Sequence, residues 1–311
     1  MRRHPVTTLL AAALLLPALA ACGADAASGP VPAGGATAAP SENVTASVKK
    51  DEALAKLLPE EVRKAGTLRI ASSVGAPPSA YFPSASSREP AGQDIDIADA
   101  VGRVLGIRLK REEASFEAIL PALGSGKYDV GTGNFGVTDE RRGTIDFVTY
   151  INDGQGFAVR EDDTSLPEVT RLDQLCGRNI GVGAGTTFEA TLDARKKVCA
   201  DAGKKPYKVS VYSDNGALLT SLQQSRVEVV MSTINGLRHQ AAQPAAGVRF
   251  LGEFHRLDVG FAFKKGSALL KAFQAAVNEL IGNGTYGRIL DKWGTGASAI
   301  DKSLISPPEH K

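Results

Sequence analysis

The sequence predicts an α/β fold. Short apolar runs with β-branched residues, such as residues 180–182 and 227–231, alternate with segments whose apolar residues recur at helical spacing. This alternation is typical of layered α/β domains. The chain has 311 residues, of which 43% are hydrophobic, and this is enough to bury the core of one large or two medium domains.

The charges of the chain are nearly balanced. The formal net charge is +2, and without Arg2 and Arg3, which belong to the leader described next, 34 basic residues stand against 34 acidic ones. No run of basic residues stands out, so the composition gives no indication of a nucleic-acid partner.

Residues 1–21 have the pattern of a secretory signal peptide: a positive start, a short apolar stretch over residues 6–16, and small residues before Cys22. The apolar stretch is too short to span a membrane. The sequence Leu-Ala-Ala-Cys over residues 19–22 resembles a bacterial lipobox, which implies cleavage before Cys22 and a diacylglycerol group on its sulfur. An ordinary signal peptide with an incidental cysteine is the alternative.

Residues 22–50 are rich in Ala, Gly, Pro, Ser and Thr and offer few apolar anchors. A segment of this composition cannot bury enough surface to offset the entropy lost on ordering. We expect a flexible, lipid-anchored linker here, and a folded part that begins near Asp51.

Helices and strands can be assigned along the folded part from their periodicity and caps. One helix is expected over residues 52–64, broken by Pro59, and another over 116–124, with Ser115 as its N-cap. Between them, a helix is expected to bury one apolar face, made by Ile97, Val101, Val104 and Leu105. Later strand–helix units are expected at residues 180–188 and 209–224, and a buried strand at 227–231.

The stretch over residues 128–150, YDVGTGNFGVTDERRGTIDFVTY, carries the most specific chemistry. A short strand is expected to enter a Gly-rich loop over residues 131–136, where backbone N–H groups can approach a ligand because glycine has no Cβ. Thr138 is a predicted N-cap, and Arg141 follows about one turn into the helix. A guanidinium can grip a carboxylate through two parallel hydrogen bonds. A surface turn with a solvated arginine is the alternative.

This stretch resembles a segment of the extracytoplasmic solute-binding proteins of ABC importers, family 3, the polar amino-acid binders. The matching positions are Asp129, Thr138, Glu140, Arg141, Asp146, Phe147 and Tyr150. Further motifs follow the family's order: GTLRI from residue 66, GQDID from 92, SGKYDV from 125, LCGRNIGVGAGTT from 175 and NGTYGRILDKWG from 283. The resemblance covers about residues 66–294.

The resemblance implies the type II periplasmic-binding-protein fold, in which two α/β lobes are joined by two hinge strands and close around a ligand. Lobe I would comprise residues 51–157 and 259–300, and lobe II residues 158–258. Residues 301–311 would form a C-terminal tail. The hinge strands would include residues 154–159 and 259–263.

The resemblance also implies a ligand site shared by both lobes. Arg141 of lobe I would bind the ligand carboxylate, and Thr186 and Thr187 of lobe II would add hydroxyl and backbone donors at a helix N-terminus, where a plain helix cap is the alternative. An aromatic wall would come from Tyr81 or Phe82. The expected set is Ser73, Tyr81, Asn134, Gly136, Arg141, Thr186, Thr187 and Thr233. Ser73 could equally be only a turn residue.

Thr233 departs from the family pattern. The family usually has a carboxylate for the ligand ammonium five residues after the acid that corresponds to Glu228, and a threonine hydroxyl adds no charge there. Either another acid, Asp153, Asp214 or Glu189, takes this role, or the ligand lacks a free α-ammonium or carries it elsewhere. Of the two, we favour a modified or unusual amino acid.

Cys176 and Cys199 remain once Cys22 is assigned to lipid. In an exported protein we expect them to form a disulfide, which would stabilise the fold by roughly 3 kcal/mol on the chain-entropy model. No metal-ligand spacing appears and the four histidines are scattered, so we expect no metal and no cofactor.

The expected function is that of an extracytoplasmic, lipid-anchored substrate-binding lipoprotein of an ABC importer. It would be a monomer that captures an amino acid or related small carboxylate and delivers it to the permease subunits in the membrane. One alternative is an enzyme that resembles the cyclohexadienyl dehydratases, which would need a general acid that no residue here marks. The other is a ligand-sensing lipoprotein without transport.

Overall fold

The structure, a computed structural model, describes residues 40–310. In these residues eight strands form one sheet: β1 Thr67–Ser72, β2 Arg108–Glu113, β3 Val130–Gly136, β4 Ile145–Arg160, β5 Asn179–Gly183, β6 Lys208–Tyr212, β7 Val229–Thr233 and β8 Val248–Lys264. The helices are α1 Glu52–Ala55, α2 Glu60–Ala65, α3 Gln93–Leu105, α4 Phe116–Gly124, α5 Asp139–Arg142, α6 Thr187–Ala194, α7 Val198–Asp201, α8 Asn215–Gln223, α9 Ile234–Ala241, α10 Leu270–Gly282 and α11 Thr285–Trp293. Three short 3₁₀ turns span Leu172–Leu175, Pro244–Ala246 and Gly296–Ser298.

The strand order β2-β1-β3-β8-β4-β7-β5-β6 contains the same unit twice. In each unit three parallel strands are joined by helices, β1, β2 and β3 in one and β5, β6 and β7 in the other. An antiparallel strand then closes each unit, β8 beside β3 and β4 beside β7. Each unit therefore forms the sheet of one lobe, as the α/β prediction requires.

Strands β4 and β8 connect the two lobes. They pair with each other from Ile145 opposite Lys264 to Arg160 opposite Val248, and so run through both halves of the sheet. The two expected hinge segments lie inside these strands, which are much longer than predicted. Sequence periodicity did not reveal the full length because buried and half-buried residues follow one another along both strands.

Each lobe has its own apolar core. Lobe I packs β1, β3, β4 and β8 against α3, α10 and α11, and its core includes Ile70, Ile97, Val101, Phe261, Phe273 and Trp293. Lobe II has a separate core that includes Phe157, Ile180, Val182, Leu192 and Met231. Because the lobes have separate apolar cores, they can move as units about the connecting strands.

Acidic residues of the sequence motifs tie elements of lobe I together. The carboxylate of Asp96 accepts hydrogen bonds from Trp293 Nε1 and Lys292 Nζ, both at 2.8 Å. Asp129 accepts from the backbone N–H of Arg69 at 2.8 Å and pairs with its guanidinium at 2.7 Å. These motifs are therefore joined in space, and their acids have a structural role.

The packed chain begins before the predicted boundary at Asp51. Val44 and Thr45 are buried, Val44 belongs to the core of lobe I, and the N–H of Asp51 donates to Val104 O at 2.8 Å. The expectation of a flexible linker is wrong for its last residues because Val44 and Val48 act as apolar anchors. Residues 1–39, which include the expected signal peptide and Cys22, lie outside the described residues.

The predicted C-terminal tail is also part of lobe I. Ser303 is fully buried, and Ile305 forms an antiparallel bridge with Val148 of β4. This segment lacks helical or strand periodicity, so composition alone gave no sign that it packs.

The expected disulfide between Cys176 and Cys199 is confirmed, with 5.5 Å between the two Cα atoms. It joins the end of the 3₁₀ turn Leu172–Leu175 to α7, and Cys199 is buried in the core of lobe II. Among residues 40–310, no helix has both the length and the apolar character needed to cross a membrane.

Candidate ligand-binding site

A cavity of about 490 Å³ lies between the lobes. Its lining includes Ser73 after β1, Gly183 at the end of β5, Tyr212 at the end of β6 and Thr233 at the end of β7. In open α/β sheets ligands bind outside the carboxyl ends of the strands, and this volume is suited to a small molecule. The fold thus directs both lobes toward one site.

Seven of the eight residues expected to bind ligand line this cavity. They are Ser73, Asn134, Gly136, Arg141, Thr186, Thr187 and Thr233. The two lobes contribute to opposite walls, so a bound molecule would be in contact with both. The individual contacts to a ligand stay predictions.

Tyr81, expected to form an aromatic wall, does not line this cavity. The ring of Tyr81 packs edge-on against Trp293 of lobe I, with 6.1 Å between centroids, and Phe82 is exposed. The reason is a tight turn: Gly75 and Ala76 both donate to Ala80 O, which folds the chain back before Tyr81.

The aromatic side chains that do line the cavity are Phe116, Phe188 and Tyr212. Phe116 is half-buried and packs on Phe135 with 4.7 Å between the ring centroids. The strand positions could have indicated two of these residues. Phe116 comes three residues after the end of β2, and Tyr212 is the last residue of β6. Position in the topology was therefore a better guide to these residues than motif spacing.

Asn134 lies in a bulge of β3 rather than in the loop that the glycines suggested. The pairing of β3 with β8 shifts between Gly131 and Phe135, and Asn134 has a left-handed φ of 56°. Its N–H donates to Asp94 Oδ2 at 3.1 Å, and its side-chain amide donates to Asp153 Oδ2 at 2.9 Å. Two buried carboxylates behind the cavity thus hold this lining residue in place.

Burial raises the pKa of both carboxyl groups behind Asn134. The pKa of Asp94 rises from its ordinary value of 3.8 to about 7, and the nearby charge of Asp153 adds to the effect of burial. The pKa of Asp153 is also raised by burial, which its hydrogen bonds from Asn134 and from the backbone of Asn235 and Gly154 partly offset. The charge of the two carboxyl groups that hold Asn134 therefore depends on pH.

Arg141 spans the cleft. The backbone N–H of Arg141 donates to Thr138 Oγ1 at 3.2 Å, so the predicted cap of α5 is confirmed. Its Nη1 donates to Gly136 O in lobe I and its Nη2 to Gly185 O in lobe II, both at 3.0 Å. Each of these nitrogens carries a second N–H, so the planar group retains donors for a carboxylate in the cavity.

The guanidinium of Arg141 is held in a partly apolar environment. Its central carbon lies 5.8 Å from the ring centroid of Phe116, within the range of a cation–π contact. Burial lowers the pKa of Arg141 to about 10, against the opposing charges of Glu140 and Glu309. The side chain stays charged at neutral pH, which favours binding of an anion.

Threonine hydroxyls on the lobe II wall are engaged as helix caps. Thr186 Oγ1 caps α6 by accepting from Glu189 N at 3.4 Å, and donates to Gly183 O at 2.7 Å. Thr233 Oγ1 caps α9 by accepting from Gly236 N at 3.1 Å. The Thr186 hydroxyl therefore acts as a helix cap, as the alternative interpretation held. Thr187 is the first residue of α6 and lines the cavity, so the N-terminus of α6 lies at the cavity wall.

Of the three acids considered as partners for a ligand ammonium, only Asp214 lines the cavity. It also caps α8 by accepting from Ala217 N at 2.7 Å. Glu189 accepts from Gly185 N at 2.8 Å and borders a second cavity of about 830 Å³, and Asp153 is fully buried. Glu113 and Glu117 also line the cavity between the lobes. The sequence analysis did not identify them, because neither belongs to a motif.

Residues 68–296 match the sequence model of the bacterial extracellular solute-binding proteins, family 3. The chain belongs to this family. The match covers most of both lobes and includes every cavity-lining residue named above.

Known relatives and structures agree with this assignment. The arginine-binding protein ArgT of Corynebacterium glutamicum is 28% identical over 80% of this chain and 81% of its own length. The L-cystine-binding protein TcyJ of Escherichia coli K12 is 25% identical over 75% of this chain and 84% of its own. An ancestral arginine-binding protein, solved bound to arginine, superposes with a TM-score of 0.66 at 33% identity and covers 73% of this chain and 98% of that one. These relatives are binding proteins, and their ligands differ.

Proposed function

We propose that this protein captures an amino acid between its two lobes and delivers it to the permease of an ABC importer. The observation that carries the proposal is the position of Arg141, which contacts both lobes and lines the cavity between them. Its fork would receive the α-carboxylate together with the N-terminus of α6.

Ligand binding would favour closure because each lobe supplies part of the contacts to the ligand. In an open state the ligand would meet the donors of one lobe only, whereas the closed state offers both Arg141 and the start of α6 at Thr187. A ligand with more contacts in one state shifts the population toward that state. The permease would then recognise the closed, loaded form.

The charge of the cavity favours a basic amino acid. Three carboxylates, those of Glu113, Glu117 and Asp214, line it together with the single guanidinium of Arg141. One carboxylate and two cationic groups on the ligand would complement this set, and two of the proteins compared above are named as arginine-binding. We therefore propose L-arginine as the first ligand to test, with Asp214 beside an ammonium, in place of the unusual amino acid suggested by Thr233.

The location and assembly are proposed from the N-terminal sequence and the family. The chain would be exported, cleaved before Cys22 and held to the cell membrane by lipid on that cysteine, as a monomer without cofactor. It would act by binding alone rather than as an enzyme.

Calorimetry on refolded protein tests the proposal. The protein is unfolded and refolded to remove co-purified ligand, and is then titrated with each standard L-amino acid and with L-citrulline, an uncharged isostere of arginine. We expect single-site binding of L-arginine that is at least about tenfold tighter than that of L-citrulline, because an ion pair in a cleft is lost. If no standard amino acid binds, the proposal of amino-acid capture is refuted. If a neutral amino acid binds more tightly than L-arginine, only the proposal of a basic ligand is refuted.

A further inference from the structure

The C-terminal segment 303–310 lies beyond the family match, which ends at residue 296, yet it is built into lobe I. Ser303 Oγ donates to Thr149 O at 2.6 Å, and Leu304 N donates to Thr149 Oγ1 at 2.8 Å. Ile305 then pairs with β4. These contacts fix the path of the segment along the strand that connects the lobes.

Beyond β4 the segment reaches α5, the helix that carries Arg141. Ser306 O accepts from Arg142 Nε at 3.0 Å. Glu309 and Asp139 are joined in both directions: Asp139 N donates to Glu309 Oε2 at 3.0 Å, and Glu309 N donates to Asp139 Oδ1 at 3.2 Å. Asp139 also pairs with Arg142 Nη1 at 2.6 Å, so the segment and the helix form one network.

Helix α5 needs this support. It has four residues, and a single turn is not stable by itself because nucleation fixes several residues for one hydrogen bond. Its first N–H groups have no acceptor within the helix. Thr138 serves the N–H of Arg141, and Glu309 serves that of Asp139. The C-terminal segment thus supplies one of the two acceptors that hold the start of α5.

The end of the segment is anchored on the second connecting strand. His310 Nε2 lies 3.0 Å from Asp258 Oδ2 on β8. The backbone oxygen of Asp258 accepts from Val137 N at 2.7 Å, immediately before the Thr138 cap. Glu309 also borders the second cavity together with Glu140 and Arg141. The end of the segment therefore lies beside α5 and borders the second cavity next to Arg141.

We propose that Glu309 is a positioning residue for ligand binding: it holds α5 so that the guanidinium of Arg141 is presented to the interlobe cavity. The inference rests on the proposed function, in which Arg141 receives the ligand carboxylate. Glu309 does not line the cavity between the lobes. It acts through Arg141 and not by contact with the ligand.

Three variants of the full chain test this role. Glu309→Ala removes the acceptor for Asp139 N, Glu309→Gln keeps an acceptor oxygen there, and Glu61→Ala removes an exposed carboxylate of α2 as a matched control. Backbone hydrogen–deuterium exchange of residues 138–144 measures the order of α5 without any ligand. Calorimetry with L-arginine measures affinity, and the melting temperature reports overall folding.

We expect faster exchange over residues 138–144 in Glu309→Ala and an affinity for L-arginine that falls about tenfold, as for loss of one hydrogen bond at a charged site. Glu309→Gln should recover most of both, and Glu61→Ala should match the wild type. In an Arg141→Lys background, Glu309→Ala should weaken binding no further, because the forked group it positions is gone.

Unchanged hydrogen exchange in Glu309→Ala would overturn the inference. So would a loss of affinity for L-arginine on Glu309→Ala that is as large in the Arg141→Lys background as in the wild type. The proposed function fails differently: Arg141→Lys would bind L-arginine as tightly as the wild type, or no standard amino acid would bind. In either case the exchange measurement still decides whether Glu309 orders α5.

Discussion

Arg141 Nη2 lies 3.0 Å from the carbonyl oxygen of Gly185 and donates a hydrogen bond from one lobe to the other. Because Nη1 is bonded to Gly136 O in its own lobe, one side chain connects the two walls of the cavity. With the ligand carboxylate on Arg141, as proposed, recognition of the anion and closure of the lobes would be linked at this one side chain.

The backbone at Gly185 is the lobe II side of this contact, and a side chain there should hinder closure. Gly185 has a φ of +68°, and an added Cβ would lie 3.0 Å from Cβ of Glu117 in lobe I. Gly177 has a φ of +83° with nothing near an added Cβ, so Gly177→Ala is a control with the same backbone strain.

We expect Gly185→Ala to reduce the affinity for L-arginine about tenfold in calorimetry, whereas Gly177→Ala lowers stability without changing affinity. Small-angle scattering of the ligand-bound variant should show a less compact molecule than the wild type. Equal affinities for the two variants would show that the lobes need not approach closely at Gly185.

The disulfide between Cys176 and Cys199 should contribute mainly to stability. It closes a loop with a sequence separation of 23 residues in lobe II, and the chain-entropy model gives roughly 3 kcal/mol for a loop of this size. The double variant Cys176→Ser/Cys199→Ser should therefore unfold at a lower urea concentration while its affinity for ligand changes little. Unfolding curves that coincide with those of the oxidised wild type would contradict this.

Sequence motifs predicted residues of the cavity lining where their position depends on local chain geometry. Arg141 follows its cap at Thr138 by three residues, and this local spacing can be read directly from the sequence. Tyr81 was misplaced because a turn of a few residues decides which way its ring faces, and no periodicity encodes that turn. The C-terminal segment was missed because its contacts, such as Glu309 with Asp139, join residues 170 positions apart.

The buried carboxyl group of Asp94 should make stability depend on pH. Its pKa is about 7 in the folded protein and 3.8 ordinarily, so between these values the folded state holds a proton that the unfolded chain releases. Its contribution to stability is complete below pH 3.8 and is lost as the pH rises toward 7. Asp153 and the hydroxyl of Tyr150 face the same group.

Asp94→Asn keeps the shape and an acceptor for Asn134 N but does not titrate. The stability of the wild type relative to this variant should therefore fall between pH 4.5 and pH 7.5, roughly the window between the two pKa values. Urea unfolding of both proteins at the two pH values measures this difference. A difference that stays constant with pH would mean that Asp94 is ionised in the folded protein throughout.

The lipid anchor is tested by the location of the protein in cells. Cys22→Ser removes the thiol that would carry diacylglycerol, so the protein should move from the membrane fraction to the soluble extracytoplasmic fraction. Mass spectrometry of the membrane-associated wild type should show acylated Cys22 as the first residue. Retention of Cys22→Ser on membranes after a gentle wash would argue against anchoring by lipid.

The central claim, that Arg141 binds the α-carboxylate of an amino acid, is tested most directly by removing either partner. Calorimetry compares L-arginine with L-argininamide, which lacks the carboxylate, on the wild type, on Arg141→Ala and on Arg63→Ala, an exposed arginine of α2 that serves as control. We expect the wild type and Arg63→Ala to prefer L-arginine by about 100-fold, since a charge-assisted bidentate pair in a cleft is at stake. Arg141→Ala should bind both ligands weakly and equally. An undiminished preference for L-arginine in Arg141→Ala would contradict the account.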